Sequence, residues 1–542
     1  MISLYDEDDE LQRPALLSNP PRDDVFNLLS PTARHNAPQW PLFERESLTT
    51  PEGLRLEVGD FVELKHAHPA PRYNRQGDFF CIHQIIEHAG TAEITLRGLV
   101  LKRTRYANNL LPKKTNELYL HVNVCVDDNH SAYEQNIVTI QAEDIVRRRR
   151  VNVTNATFPL FSFRDRDWSH IDEQDILHHL ELTCLWVHVA YYKNRKDKRE
   201  NRPLQSELRM MSESEADTRY RMSYSVLTAP QPRGRRRPYT LLDAFCGLGG
   251  VSLGARQAGV RPRYAFDYEF AATSTYSLNQ PRTRILTESV DEMINRTKND
   301  NMHVDILHVS PPCQPFSKAH TRAGRNDEAN RATLFSIDTL IENLRPRIVT
   351  FEEAEGLVRR HKQWWKAVVN MFTSHGYSAT WKIVNCCDYE LPQNRERVIL
   401  IASCPGTTLP EIPPPTQRYT TIADALRELA RHPEASHNET TGLYAPITRT
   451  YAPYNADRFA YCITTGGGDG RPGTYHPSGT RDFTIRELAM LQGFPADFEF
   501  AGGLTLGDCR KQIGNAVPPP LAKVIFEAVR ESLEKDDERI TA

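Results

Sequence analysis

No CxxC pair occurs anywhere in this chain. Its ten cysteines (Cys81, Cys125, Cys184, Cys246, Cys313, Cys386, Cys387, Cys404, Cys462 and Cys509) are scattered, so neither a zinc module nor a disulfide framework is signalled. A reducing compartment follows as the expectation. No run of about 18 apolar residues is present, which argues against a helical membrane span. The opening MISLYDEDDELQRP is acidic and lacks the basic-then-apolar order of a signal peptide. Charge of one sign is also missing: 67 Lys and Arg against 70 Asp and Glu leave a formal −3. That excludes a uniformly basic nucleic-acid coat, though not a local basic cleft. No internal repeat is found, and no glycine loop ends in the GKT or GKS that would cradle a triphosphate.

What is present reads as several units, as a length of 542 residues suggests. Residues 1–50, rich in Pro, Asn, Asp and Ser, show no sustained period and are expected to be disordered or to dock elsewhere. Over 51–154, RLEVGDFVELKH, DFFCIHQIIEH, AEITLRGLVLKRT and ELYLHVNVCV read as strands of a small all-β module. It closes on RRRR, Arg147–Arg150. Residues 155–237 read as a linker with a helical segment at DEQDILHHLELTCLWVHVAYY, followed by KNRKDKRENRP and the basic knot RGRRRP. These charge runs suit a solvated linker, phosphate contact or nuclear import.

From Tyr239 onward, β-rich runs (YTLLDAF, RYAFDY, VDILHVS, RIVTFEEA, SATWKIVN, RVILIAS) alternate with helix-like segments. This predicts an α/β domain with a mainly parallel sheet, whose ligands lie beyond the carboxyl ends of the strands. At LLDAFCGLGG a strand enters a glycine turn and then a helix, which suits a nucleotide, S-adenosylmethionine or plain tight packing. The next strand ends in Asp267 and Tyr268, where an acidic residue often holds a ribose diol; together these favour an adenosyl ligand. SPPCQPFS sets Cys313 among three prolines at a strand end, as a buried inert thiol or a presented nucleophile. FEEAEGL offers Glu352 and Glu353 as solvated charges or as an acid in a cleft. In LPQNRERVILIAS, period two sends Gln393, Arg395 and Arg397 to one face, as a site wall or a salt-bridged edge. FTIRELAMLQGFP reads as a helix opened by a Thr cap, with Glu487 at the capping-box position. IGNAVPPP precedes an amphipathic helix carrying Leu521, Val524, Ile525 and Val529.

The ordered set DAFCGLGG, FDYE, SPPCQPFS, FEEAEGL, PQNRERV, TIRELAMLQGFP and QIGNAVPPPLA resembles the DNA (cytosine-5)-methyltransferases over roughly residues 239–535. The resemblance implies a Rossmann-like, S-adenosylmethionine-dependent fold split into 238–404 and 481–542, around a short target-recognition region at 405–480. It implies that Cys313 is the nucleophile for C6 of a flipped cytosine and that Glu352 pairs with the N3/N4 edge. Arg397 would hold O2, with Arg395 and Gln393 shaping the same wall. Phe245, Gly247, Gly249, Asp267, Tyr268, Ser289, Asn515 and Val517 would surround the cofactor, while Ser310, Pro312 and Ser317 support the nucleophile loop. No metal is implied. The partner would be double-stranded DNA, the product 5-methylcytosine and the location the nucleus.

Two departures stand out. The family's Glu-Asn-Val is Glu352-Glu353-Ala354 here, and a buried Glu353 is expected to raise its neighbour's pKa by like-charge repulsion. Ser289 stands where an aspartate commonly meets the adenine amine. The altered Glu-x-x motif and the short recognition region look like the fungal RIP-defective-like group, linked to premeiotic silencing of repeated DNA. The N-terminal module is similar to bromo-adjacent homology (BAH) domains, which implies histone tails or chromatin proteins as partners and no membrane. A methyltransferase-like silencing scaffold and an RNA cytosine methyltransferase are the alternatives.

Overall fold

The computed structural model describes residues 42–50, 53–65, 78–88, 93–156, 181–212, 214–216, 238–300, 302–312, 327–416, 418–432, 453–465 and 475–541. Cys313 and Ser317 lie outside the described residues, as do nearly all of 1–50, residues 172–180 of the expected helix, most of RGRRRP and the middle of TTGGGDGRPGTYHP.

The N-terminal segments fold as their alternation predicts. Strands β1 (Phe61–Leu64), β2 (Phe79–His88), β3 (Ile94–Arg103), β4 (Glu117–Cys125) and β5 (Ile145–Arg149) pair mostly antiparallel around Phe79, Phe80, Ile82, Leu99, Leu101 and Leu120, all buried. The RRRR run is not a free basic patch. Arg147 and Arg149 pair with Glu63 at 3.2 and 2.7 Å, Arg148 with Asp60 at 2.8 Å and Arg150 with Glu181 at 2.8 Å.

The expected helix is corrected over its described part, 181–192. Leu182–Tyr192 form β6, an eleven-residue strand buried along almost its whole length. A strand buried on both faces loses its polar alternation, which is what the apolar run LTCLWVHVAYY carries. The charged KNRKDKRENRP is a hairpin turn with a helix, α1 (Arg195–Glu200), capped by the Asn194 side chain. It leads into β7 (Gln205–Met210), antiparallel to β6.

The catalytic sheet runs β8 (Thr240–Ala244), α2 (Gly250–Gln257), β9 (Arg261–Asp267), α3 (Phe270–Asn279), β10 (Arg284–Thr287), α4 (Val290–Asn299), β11 (Ile306–Val309), α5 (Asp327–Leu344) and β12 (Ile348–Ala354). Then follow α6 (Lys362–Ser374), β13 (Ser378–Asn385), β14 (Gln393–Asn394), β15 (Glu396–Ser403), α7 (Ile422–Leu429), β16 (Ala460–Tyr461), α8 (Ile485–Leu491), α9 (Leu506–Asn515) and α10 (Pro519–Thr541). Spatial order is β10-β9-β8-β11-β12-β15-β13. The first five are parallel, and β15 is antiparallel to both neighbours. The order reverses at β8, so a crevice opens between the carboxyl ends of β8 and β11.

Strand β7 pairs antiparallel with β13, so the N-terminal sheet continues into the catalytic one. One apolar cluster joins Leu111, Tyr119, Trp186 and Leu208 to Trp365, Phe372 and Trp381. Thr373 Oγ1 donates to Leu110 O at 2.9 Å across the same seam. No described helix is long and apolar enough to cross a membrane.

Candidate active site

The glycine turn after β8 is built by close approach. Phe245, Gly247 and Gly249 have φ of +59°, +52° and +96°, and Phe245 holds this left-handed backbone without being glycine. A Cβ on Gly249 would meet the Tyr276 ring at 2.8 Å; one on Gly250 would lie 2.1 Å from Val517 O. Helix α2 therefore packs directly against the Asn515–Val517 turn. Asp243, fully buried at the end of β8, accepts from Ser252 N at 3.1 Å and Ser252 Oγ at 2.6 Å, while Tyr276 OH donates to the same hydroxyl at 2.7 Å. Burial pushes the Asp243 carboxyl up to about 7, against those two bonds. Sequence inspection missed this network, although the aspartate in LLDAF was a visible signal for it.

Asp267 ends β9 and accepts from Gly247 N at 3.0 Å and Glu269 N at 2.9 Å. Burial raises its pKa, and the two amides oppose the rise. Tyr268 beside it is 69% exposed. A Cβ on Gly247 would meet nothing within 4 Å, so its backbone faces open space. An open glycine turn, a carboxylate at the next strand end and an uncovered aromatic ring fit an adenosyl ligand. Val517 is buried against this turn, whereas Asn515 ends α9 exposed. Ser289 is occupied by capping: its hydroxyl donates to Glu292 Oε2 at 2.8 Å and accepts from Glu292 N at 3.3 Å, opening α4.

At the end of β11, Ser310 N donates to Ala244 O and Ser310 Oγ to Phe245 O, both at 3.4 Å, tying the two strand ends together. Val309 pairs with Phe351, so the chain leaving β11 toward Cys313 starts beside Glu352. Glu352 is 8% exposed, and its Oε1 lies 2.9 Å from Arg397 Nε. These two residues, well separated in sequence, meet because β12 and β15 are antiparallel neighbours.

The polar row is one face with two jobs. Arg397 reaches Glu352. Arg395, 2% exposed, donates to Ile463 O at 3.1 Å and to Gly514 O and Ala516 O at 3.0 Å each, with Cys462 Sγ at 3.5 Å from Nη1. Gln393 donates to Leu491 O and Gln492 Oε1 and accepts from Ile463 N. Both therefore bind the C-terminal segment to the sheet. Cys462 was also missed: burial raises its thiol, but Arg395 and Arg397 outweigh burial and hold it below the ordinary value.

Glu353 points to the opposite face from Glu352. It is 1% exposed, accepts from Ala354 N at 2.6 Å, and its Oε2 has no partner among the described residues. Burial, reinforced by Glu352, raises its own pKa well above the carboxylate range.

The family model for C-5 cytosine-specific DNA methylases matches residues 239–449 and 447–531, more than half of the chain. The chain belongs to that family. As a member it is a DNA cytosine-5 methyltransferase. The type II methyltransferase M1.HphI of Haemophilus parahaemolyticus is 30% identical over 330 residues, covering 54% of this methylase and 86% of its own chain. M.AplI of Arthrospira platensis is 31% identical over 316 residues, covering 56% and 88%. A solved putative DNA modification methyltransferase encoded within an E. coli prophage aligns with 55% of this methylase and 99% of its own chain, at 22% identity and a TM-score of 0.44. The methylase match begins at Tyr239, C-terminal to the whole β1–β7 module.

Proposed function

We propose that this methylase modifies C5 of a cytosine extruded from double-stranded DNA, through a transient bond between Cys313 and C6 of the base. The observation that carries the reading is the buried Glu352–Arg397 pair beside the strand that leads to Cys313. Glu352 would pair with the N3/N4 edge and favour a protonated ring as the Cys313 thiolate adds, and Arg397 would donate to O2. The ion pair holds both side chains in place before substrate arrives. Addition at C6 makes C5 electron-rich, so that C5 takes a methyl group. Loss of the C5 proton then expels the thiolate and leaves 5-methylcytosine. S-adenosylmethionine supplies an electrophilic methyl group, and Phe245, Gly247, Gly249, Asp267, Tyr268 and Val517 would hold it.

The N-terminal module reads as BAH-like, with chromatin proteins or histone tails as partners in the nucleus of a fungal cell and gene silencing as the setting. The strand motifs noted in the sequence support this. A silencing scaffold with little activity is the second reading, favoured by Ser289 being used as a helix cap and by Glu353 replacing a neutral amide. Methylation of RNA ranks behind both.

The test is transfer of label from S-adenosylmethionine to DNA and RNA, with Cys313→Ala in parallel. Labelled duplex and a covalent adduct with 5-fluorocytosine DNA, both lost in Cys313→Ala, are expected. Cofactor binding without label or adduct on any substrate would leave the scaffold.

A further inference from the structure

A tyrosine stands uncovered one residue before Cys462, the thiol that lies against Arg395 and Arg397. Tyr461 is 61% exposed, yet its backbone is firmly held. Ala460 and Tyr461 form β16, which pairs parallel with β14, placing Tyr461 across from Asn394. Ala460 N donates to Pro392 O at 2.9 Å, and Tyr461 N to Tyr454 OH at 2.8 Å. The next residue, Cys462, lies against Arg395 and Arg397, so Tyr461 is one step from the wall that would hold the base. Its ring is backed by that of Tyr454, with centroids 5.8 Å apart, and Tyr454 is backed in turn by Phe483 at 6.0 Å. This aromatic series runs from buried Phe483 out to solvent. An exposed amide stands across from it, Asn394, whose Oδ1 accepts from Asn385 Nδ2 at 3.2 Å, and the exposed Arg458 lies three residues earlier in the chain.

A large ring left in water on a rigid, aromatic-backed strand is costly for a free surface and suits a stacking platform. Bases stack on such rings whatever their sequence, because every base has a π face. We propose that Tyr461 stacks on the DNA beside the extruded cytosine and stabilises the opened duplex, acting as a DNA-contacting residue outside the reacting atoms. This rests on the reading of the Glu352–Arg397 site as a cytosine pocket.

The experiment uses the full chain with Tyr461→Ala, Tyr461→Leu and Tyr461→Phe. The probe is a duplex in which 2-aminopurine replaces a cytosine that the wild type methylates. Loss of one stacked base is expected to weaken duplex binding about tenfold in Tyr461→Ala and Tyr461→Leu and to abolish the fluorescence rise that reports extrusion. Tyr461→Phe should retain both, and S-adenosylmethionine affinity should be unchanged in all three. If Tyr461→Leu, which keeps apolar bulk but no ring, binds and extrudes like wild type, the stacking role is overturned while the methylase reading stands. If wild-type protein that binds S-adenosylmethionine neither binds nor methylates any duplex, the underlying reading fails and the Tyr461 assignment falls with it.

Discussion

Replacing Arg395 by leucine separates two roles that look alike in the motif QNRER. The guanidinium is buried and donates to the carbonyls of Ile463, Gly514 and Ala516. Ala516 O keeps a donor in Gln492 Nε2 at 2.8 Å, so two carbonyls bear the main loss. Hydrogen bonds to a charged group contribute about 1.5–3 kcal/mol each, and buried acceptors left unmatched cost a similar amount. Leucine leaves no uncompensated charge, which limits the total to about 3–5 kcal/mol of destabilisation. Urea unfolding should therefore show a clearly lower midpoint with an unchanged slope. Arg397→Leu strands the buried Glu352 carboxylate and should also cost about 3–5 kcal/mol of stability, but here methyl transfer by the folded protein falls at least about 100-fold. An Arg395→Leu protein with a wild-type midpoint would refute the assignment. If its activity were also lost, Arg395 would return to the substrate wall.

Glu353 binds its proton more tightly folded than unfolded, so stability is expected to fall as pH rises above the unfolded value, by about 1.4 kcal/mol per pH unit until the folded pKa is reached. Glu353→Gln removes that slope, and its stability advantage over wild type should grow as pH rises above the ordinary carboxylate range; a difference that stays constant as pH rises would contradict the raised folded-state pKa. Gly250→Ala puts a methyl 2.1 Å from Val517 O and should cost about 1–3 kcal/mol and weaken S-adenosylmethionine binding at least about tenfold in a direct titration. Gly247→Ala, where a Cβ meets nothing, should cost only about 1 kcal/mol for its left-handed backbone. A fragment starting at residue 238 should aggregate or lack a cooperative transition, because it uncovers the β13 edge and the Trp365–Trp381 face; a soluble, cooperatively unfolding fragment would show the N-terminal module to be dispensable for folding.

Local patterns were sufficient for much of this molecule. β-rich runs located the long strands Phe79–His88, Ile94–Arg103 and Glu117–Cys125, and the Thr484–Glu487 capping box was visible as T-x-x-E before α8. They failed at Leu182–Tyr192, where burial of both faces erased the period that distinguishes strand from helix. They also missed β10, a four-residue edge strand too short to show a pattern. RRRR and KNRKDKRENRP read as free charge because the acids that pair with the arginines, Asp60, Glu63, Asp128 and Glu181, come from other strands and loops.

For the site, the residue types and order of the motifs alone pointed to the family, since a thiol and a carboxylate at strand ends and an arginine at a strand entry are local facts of the chain. Tertiary structure decided how the work is divided. Antiparallel pairing of β12 with β15 brings Glu352 to Arg397, while folding the C-terminal segment back onto the sheet claims Arg395 and Gln393 for backbone carbonyls and side-chain amides. Complete burial of β12 between its neighbours is what pushes the Glu353 carboxyl above the ordinary range. None of these outcomes is local, because each depends on which distant backbone or carboxylate arrives within about 3 Å of a donor.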